Sequence, residues 1–86
     1  MAYLYKLTQQ ESTGYDTYDS CVVCAVDAAQ ARNIHPDGSI YPNDCWAEDM
    51  RHTWAEKPEN VTVTMIGSAA IGIKPGTVIC ASFRAG

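Results

Sequence analysis

The first residues of the chain alternate in a way that is typical of a β-strand. Between Ala2 and Thr8, every second position carries a tyrosine or a leucine: Tyr3, Tyr5 and Leu7. Side chains of successive strand residues point to opposite faces, so this alternation gives one apolar and one mixed face. Polar residues from Gln9 to Gly14 predict a turn, and the apolar run Cys21–Val26 predicts a second strand in the middle of a sheet. We expect these two strands to pair as a hairpin with a long loop.

A short helix is predicted directly after the second strand. Asp27 can serve as its N-cap, and Gln30 stands three positions later, which is the spacing of a capping box. The helix is expected to run from Ala28 to His35, because Pro36 cannot continue it. One side of this helix is apolar, with little bulk.

A second helix is predicted to begin at Asn43 or Asp44. Trp46, Met50 and Trp54 then recur every four residues and form an apolar stripe. Extended structure near Trp54 is the alternative.

The last third of the chain predicts two more strands. In the segment Val61–Ile66, alternation predicts that Val61, Val63 and Met65 point inward. Residues 67–72 are expected to form a loop of small residues. The segment Lys74–Thr77 has Pro and Gly in the order of a type II turn, and Val78–Phe83 is the last predicted strand.

These elements predict a single α+β domain spanning residues 1–86. Its expected core is a four-stranded, mainly antiparallel sheet in ββαββ order, with one or two short helices on one face. A chain of this length can build one hydrophobic core. The apolar and charged fractions, 47% and 19%, are those of an ordinary globular domain.

Charge and cysteine content bear on the class of protein. The formal net charge of −4 argues against binding to DNA or RNA, which requires a basic surface. The first residues lack the features of a signal peptide, and long apolar runs are missing, so we expect a cytoplasmic protein and no membrane partner. The four cysteines are then expected to be reduced.

The motif Cys21-Val22-Val23-Cys24 could in principle hold a metal ion or act as a redox pair. Residues i and i+3 of a strand point to opposite faces, so the two thiols are expected to diverge and to serve in packing. Nucleophile and base do not occur at a workable spacing, so we expect neither an enzyme nor a bound cofactor or metal.

The segment from Gly14 to Ser20 is the strongest candidate for a contact surface. Two Tyr-Asp pairs, Tyr15-Asp16 and Tyr18-Asp19, follow each other in a predicted loop. Tyrosine offers a large contact area and a hydroxyl group, which suits binding to a partner. The alternative is that the tyrosines pack under the loop, and the sequence leaves both possibilities open.

Several motifs resemble a family of short accessory proteins that bacteriophages and prophages encode. They are Gly14-Tyr15-Asp16-x-Tyr18-Asp19-Ser20-x-Val22-Val23, Ala31-Arg32-x-Ile34-His35-Pro36, Val61-x-Val63-x-x-Ile66-Gly67-x-Ala69 and Gly76-x-Val78-Ile79-x-Ala81-Ser82-Phe83-x-Ala85-Gly86. The resemblance covers nearly the whole chain, but this sequence has cysteines where aliphatic or small residues are expected.

The resemblance implies a monomeric or dimeric protein that binds a bacterial host protein stoichiometrically, as anti-CRISPR and other anti-defence inhibitors do. Tyr15, Asp16, Tyr18 and Asp19 are then the predicted partner-binding residues. The alternative hypothesis is a protein that sequesters a small ligand such as a signalling nucleotide, with Arg32 or Arg84 binding its phosphate.

Overall fold

A computed structural model describes most of the strands and the first helix. The described residues are 2–11, 14, 17–36, 38, 54–55 and 57–84. The predicted second helix lies almost entirely outside them, so it stays a prediction.

The fold is a four-stranded antiparallel sheet with little helix, which confirms the predicted sheet and is consistent with an α+β or a mostly-β small domain. Its elements are the strands β1 (Tyr3–Thr8), β2 (Thr17–Ala25), β3 (Thr62–Ser68) and β4 (Val78–Arg84), the helix α1 (Ala28–Arg32) and a 3₁₀ turn at Pro58–Asn60. In space the strands are ordered β3-β1-β2-β4. The two halves of the predicted first hairpin therefore form the centre of the sheet, and β3 and β4 are its edges.

One face of the sheet carries the hydrophobic core. Leu7 of β1 lies level with Cys21 of β2 and with Val63 of β3. Leu7 and Val23 are completely buried, and α1 together with Ile34 and the Trp54–Ala55 segment covers this side. Roughly 25 cal/mol per Å² of buried apolar surface makes this layer the main source of stability.

The opposite face, which we call the outer face, is mixed: hydroxyl groups lie toward one end, and the half-buried Leu4 faces the buried Cys24 at the other. A row of hydroxyl groups crosses all four strands in register and consists of Thr62, Thr8, Ser20 and Ser82. Lys6 and Thr64 lie side by side in the next row, and both are exposed. The outer face is therefore solvated at the end that carries the hydroxyl groups, as is common for one face of an antiparallel sheet.

The helix cap is confirmed, but the helix is shorter than predicted. The Asp27 side chain accepts a hydrogen bond of 2.8 Å from the backbone N–H of Gln30, whose own side chain accepts one of 2.7 Å from the N–H of Val26. α1 nevertheless ends at Arg32 instead of His35. The N–H of Asn33 caps the last turn, and a residue before proline avoids helical backbone, so the chain leaves the helix well before Pro36.

Two predictions about strands were wrong in part. Met65 was expected to point into the core, yet 55% of it is exposed. Met65 lies on the edge strand β3 next to a β-bulge. Met65 pairs with Tyr5 and Gly67 pairs with Leu4, so Ile66 between them is an extra residue without a partner on β1. The second strand begins at Thr17 and not at Cys21, so Tyr18 and Asp19 belong to β2 and not to a loop.

Candidate functional site

The predicted Tyr/Asp surface is only partly described, and its described part packs against the core. Tyr15 and Asp16 lie outside the described residues. Tyr18 is half-buried, with its ring 4.8 Å from that of Phe83 and 5.9 Å from that of His35. Asp19 is also half-buried and lies at a bulge, since Tyr18 pairs with Phe83 and Ser20 with Ser82. Packing is therefore the role that the structure gives to Tyr18.

Hydrogen bonds fix the start of β2 beside the end of β1. The Gln9 side chain donates a bond of 2.8 Å to the carbonyl of Tyr18, and the Thr17 hydroxyl donates one of 2.7 Å to the carbonyl of Gly14. These bonds hold the Tyr18 backbone in place, so its ring is positioned against Phe83 by both neighbouring strands.

The arginines of the alternative hypothesis lie on different elements. Arg32 is the last residue of α1 and is half-buried. Arg84 is the last residue of β4 and pairs with Thr17. α1 packs against β1, β2 and β3, whereas β4 is the edge beyond β2. The two arginines thus lie on different elements, and the phosphate contact by either one stays a prediction.

The cysteines of the Cys-x-x-Cys motif are both buried in extended backbone. Cys21 belongs to the core cluster, and the Sγ of Cys24 donates a weak hydrogen bond of 3.8 Å to the carbonyl of Ile73. Burial first, and the nearby Cys80 second, together raise the pKa of Cys21 from 9.0 to about 12. Cys21, Cys24 and Cys80 are free, and the described residues hold no group of three or more metal-ligating side chains.

The most exposed apolar side chain lies in the connection between β3 and β4. Ile71 has a relative exposure of 106%. It stands in a turn in which Ile73 donates its N–H to the carbonyl of Ala70 at 3.3 Å, and Gly72 has φ +100°. A positive φ at the third turn position is typical of a type II turn, which leaves Ile71 at the tip.

A second turn follows immediately and ties this connection to the sheet. Thr77 donates its N–H to the carbonyl of Lys74 at 3.3 Å, and Gly76 has φ +96°, which confirms the predicted type II turn. Cys24 bonds to the last two residues of this turn, accepting from the N–H of Gly76 at 2.7 Å and donating to the carbonyl of Thr77 at 2.9 Å. The turn that carries Ile71 is therefore held between β3 and a fixed second turn.

Ile71 shares its end of the sheet with two other exposed aliphatic side chains. Val26 follows the last residue of β2 and is 47% exposed, and Ile66, near the end of β3, is 52% exposed. We call Val26, Ile66 and Ile71 the aliphatic end. Three exposed branched side chains near one end of a small domain make this end a candidate contact surface.

Charge is distributed unevenly along the chain. All ten acidic residues precede position 60, so residues 60–86 contain Lys74 and Arg84 and no acid. Inspection of the sequence for charge in blocks reveals this asymmetry, which a count over the whole chain hides. The exposure of Ile71 gives no such signal, because the sequence around it reads simply as a loop of small residues.

The conformation of Gly72 allows a test of how far this turn depends on glycine. A methyl group at Gly72 meets no atom within 4 Å, so Gly72→Ala costs only the strain of a positive φ, about 1 kcal/mol. Gly67→Ala is the matched control, because Gly67 lies in β3 with equally open surroundings and no positive φ. Urea unfolding should show a loss for the first variant and no loss for the second. Equal effects would contradict the assigned turn.

Comparisons with known proteins add no relative: no family model, curated protein or solved structure matches this chain. Within the described residues, none of the helices is long and apolar enough to cross a membrane.

Proposed function

We propose that this protein binds a bacterial host protein stoichiometrically and blocks it, as phage-encoded anti-CRISPR and other anti-defence inhibitors do. The aliphatic end makes the contact, with Ile71 entering an apolar pocket of the host protein. The sequence resemblance supports the class, and one observation supports the surface: Ile71 is fully exposed on a turn that hydrogen bonds hold in place.

The geometry of this turn favours binding to a protein. A side chain on a preformed turn loses little conformational entropy when a partner binds it. Burying an isoleucine contributes about 1.5–3 kcal/mol, which is enough for an anchor residue in an interface but too little to hold a domain on a lipid bilayer.

The predicted residues Tyr15, Asp16, Tyr18 and Asp19 stay a proposed second contact. Tyr18 and Asp19 lie at the beginning of β2, whereas Val26 of the aliphatic end lies beyond its other end. The two regions can therefore be tested separately.

The experiment uses tagged wild-type protein, Ile71→Asp and Thr64→Asp. Both variants gain one negative charge at an exposed position, but Thr64 lies on the outer face of β3. Each protein is expressed during phage infection of a host that carries a defence system, captured, and analysed by native mass spectrometry for partners and their stoichiometry. Plating efficiency is measured in parallel.

We expect wild type and Thr64→Asp to retain a host protein at a fixed ratio and to raise plating. Ile71→Asp should lose at least about tenfold of the retained partner, the effect of removing about 1.5 kcal/mol or more. The proposal fails if wild type retains no host protein and leaves plating unchanged. A small molecule that remains bound in the mass spectra would instead support the ligand-binding alternative.

A further inference from the structure

Among the described strands, β4 pairs on one side only, so its other side presents a row of backbone groups at the edge of the sheet. Cys24 exchanges its backbone bonds with Gly76 and Thr77 of the connection that precedes β4. Bonded and non-bonded pairs alternate along an antiparallel ladder, so Val22 and Ser20 also bond toward β4, while Cys21 does not. Ala81, which pairs with Cys21, therefore directs its N–H and C=O away from β2 and toward the outer edge of β4.

An irregularity determines how much of this edge can pair with another strand. Val22 pairs with Cys80 and Val23 with Val78, so Ile79 is an extra residue on β4. A bulge of this kind interrupts regular pairing at its position. The regular part of the edge is Cys80–Arg84. In this segment Ala81 and Phe83 direct their backbone groups outward, and Ser82 between them directs its groups toward β2.

This five-residue segment is complementary to itself. When two copies pair in antiparallel orientation about Ser82, the outward backbone groups of Ala81 meet those of the second copy's Phe83, and the reverse pair forms as well. Four backbone hydrogen bonds result, and neither bulge takes part. Each pair places a large side chain beside a small one, an arrangement that packs without a void.

The phenylalanine at this edge is already held in position for such a contact. Phe83 is 47% exposed, and its ring packs edge-on against Tyr18 with centroids 4.8 Å apart. Its exposed half lies on the face that Ala81 shares, because both pair with core-side residues of β2. Binding of a second copy would bury this half and cost little side-chain entropy.

The row of hydroxyl groups on the outer face ends at the same point. Thr62, Thr8, Ser20 and Ser82 lie in register across the four strands. Pairing about Ser82 places this serine directly opposite the second copy's Ser82 and continues the row through the new sheet. Cross-strand pairs of hydroxyl side chains are a favourable combination in sheets.

Charge does not oppose a second copy at this particular edge. Each copy carries a net charge of −4, so two copies repel each other on average. The segment from residue 60 to residue 86 contains no acid, so β4 meets its counterpart without opposing two carboxylates.

We propose that two copies of this chain associate through β4 about a twofold axis at Ser82 and form one eight-stranded antiparallel sheet. The inference is independent of the proposed function, since the aliphatic end remains free on both copies. The paired segment is short and the interface lies at the small end of the known range, so we expect a dissociation constant on the order of 10–100 µM.

The first test is sedimentation velocity from about 1 µM to about 500 µM, concentrations that bracket the dissociation constant expected for an interface of this size. Wild type should change from monomer to dimer over this range. Ser82→Asp places two carboxylates opposite each other and should raise the dissociation constant at least tenfold, while Thr64→Asp, with the same change in net charge on β3, should leave it within about twofold. Circular dichroism establishes that both variants are folded.

The second test is a disulfide across the twofold axis. Facing residues of a non-bonded antiparallel pair have Cα atoms about 4.5 Å apart, within the range of disulfides. In a Cys80→Ser background, Ser82→Cys should form a covalent dimer with oxidised glutathione, and Thr64→Cys should not. The proposal is overturned if wild type stays monomeric at every concentration, or if Thr64→Asp dissociates the dimer and Ser82→Asp does not. Equal cross-linking of Ser82→Cys and Thr64→Cys would also overturn it.

Discussion

Replacement of Leu7 by alanine is expected to lower the free energy of unfolding by about 3 kcal/mol. Leu7 has no exposed surface and lies on β1, between Cys21 of β2 and Val63 of β3. A cavity left at this position is surrounded by three strands and cannot collapse easily, so both the lost burial and the cavity contribute. A domain of this size has a total stability of roughly 5–10 kcal/mol, so the loss is a large fraction of it.

Urea unfolding at pH 7 measures this effect, and Leu4→Ala is the matched control. Leu4 lies on the same strand, but on the outer face, and is half-buried. We expect it to lose about 1 kcal/mol, since less apolar surface is removed from contact. Equal losses for the two variants would show that the outer face around Leu4 and Cys24 is packed as tightly as the core around Leu7.

Alkaline pH is expected to destabilise the protein through Cys21. Its pKa is raised in the folded state from 9.0 to about 12, first by burial and second by Cys80. Between these values the unfolded chain loses the thiol proton while the folded protein keeps it, so unfolding becomes more favourable as the pH rises. The contribution is absent below pH 9, is on the order of 1 kcal/mol at pH 10 and grows until about pH 12.

Comparison of wild type with Cys21→Ala isolates this contribution from tyrosines and lysines that titrate in the same range. Urea unfolding of both proteins at pH 8 and at pH 10.5 gives two differences in free energy. The loss between the two pH values should be larger for wild type by about 1–2 kcal/mol. Parallel losses would mean that the thiol of Cys21 ionises as easily in the folded protein as in the unfolded chain.

The sequence predicted the strands because their patterns are local. The side of a strand that is buried is indicated by alternation in Ala2–Thr8 and Val61–Ile66. The apolar run Cys21–Val26 indicates a strand in the middle of the sheet. The cap at Asp27 and the turn at Lys74–Thr77 were also predicted correctly, because each depends on a few neighbouring residues whose backbone preferences are strong.

The candidate surface could not be predicted in the same way. Met65 satisfies the alternating pattern, yet it is exposed, because burial depends on β3 being an edge strand with a bulge. Tyr18 resembles a loop residue in the sequence but joins β2 and packs on Phe83, which follows it by 65 positions. Contacts between distant segments leave no trace in a local pattern, so Ile71 and the edge of β4 were found only in the structure.

The amino-acid sequence by itself determined the strands, the helix cap, the second type II turn and the concentration of all acids before residue 60. The tertiary structure decided the order β3-β1-β2-β4, and with it which strands are edges, which apolar side chains stay exposed and which end of the sheet presents Ile71. The physical reason is that propensity and alternation act over a few residues, whereas strand order minimises exposed apolar surface over the whole chain.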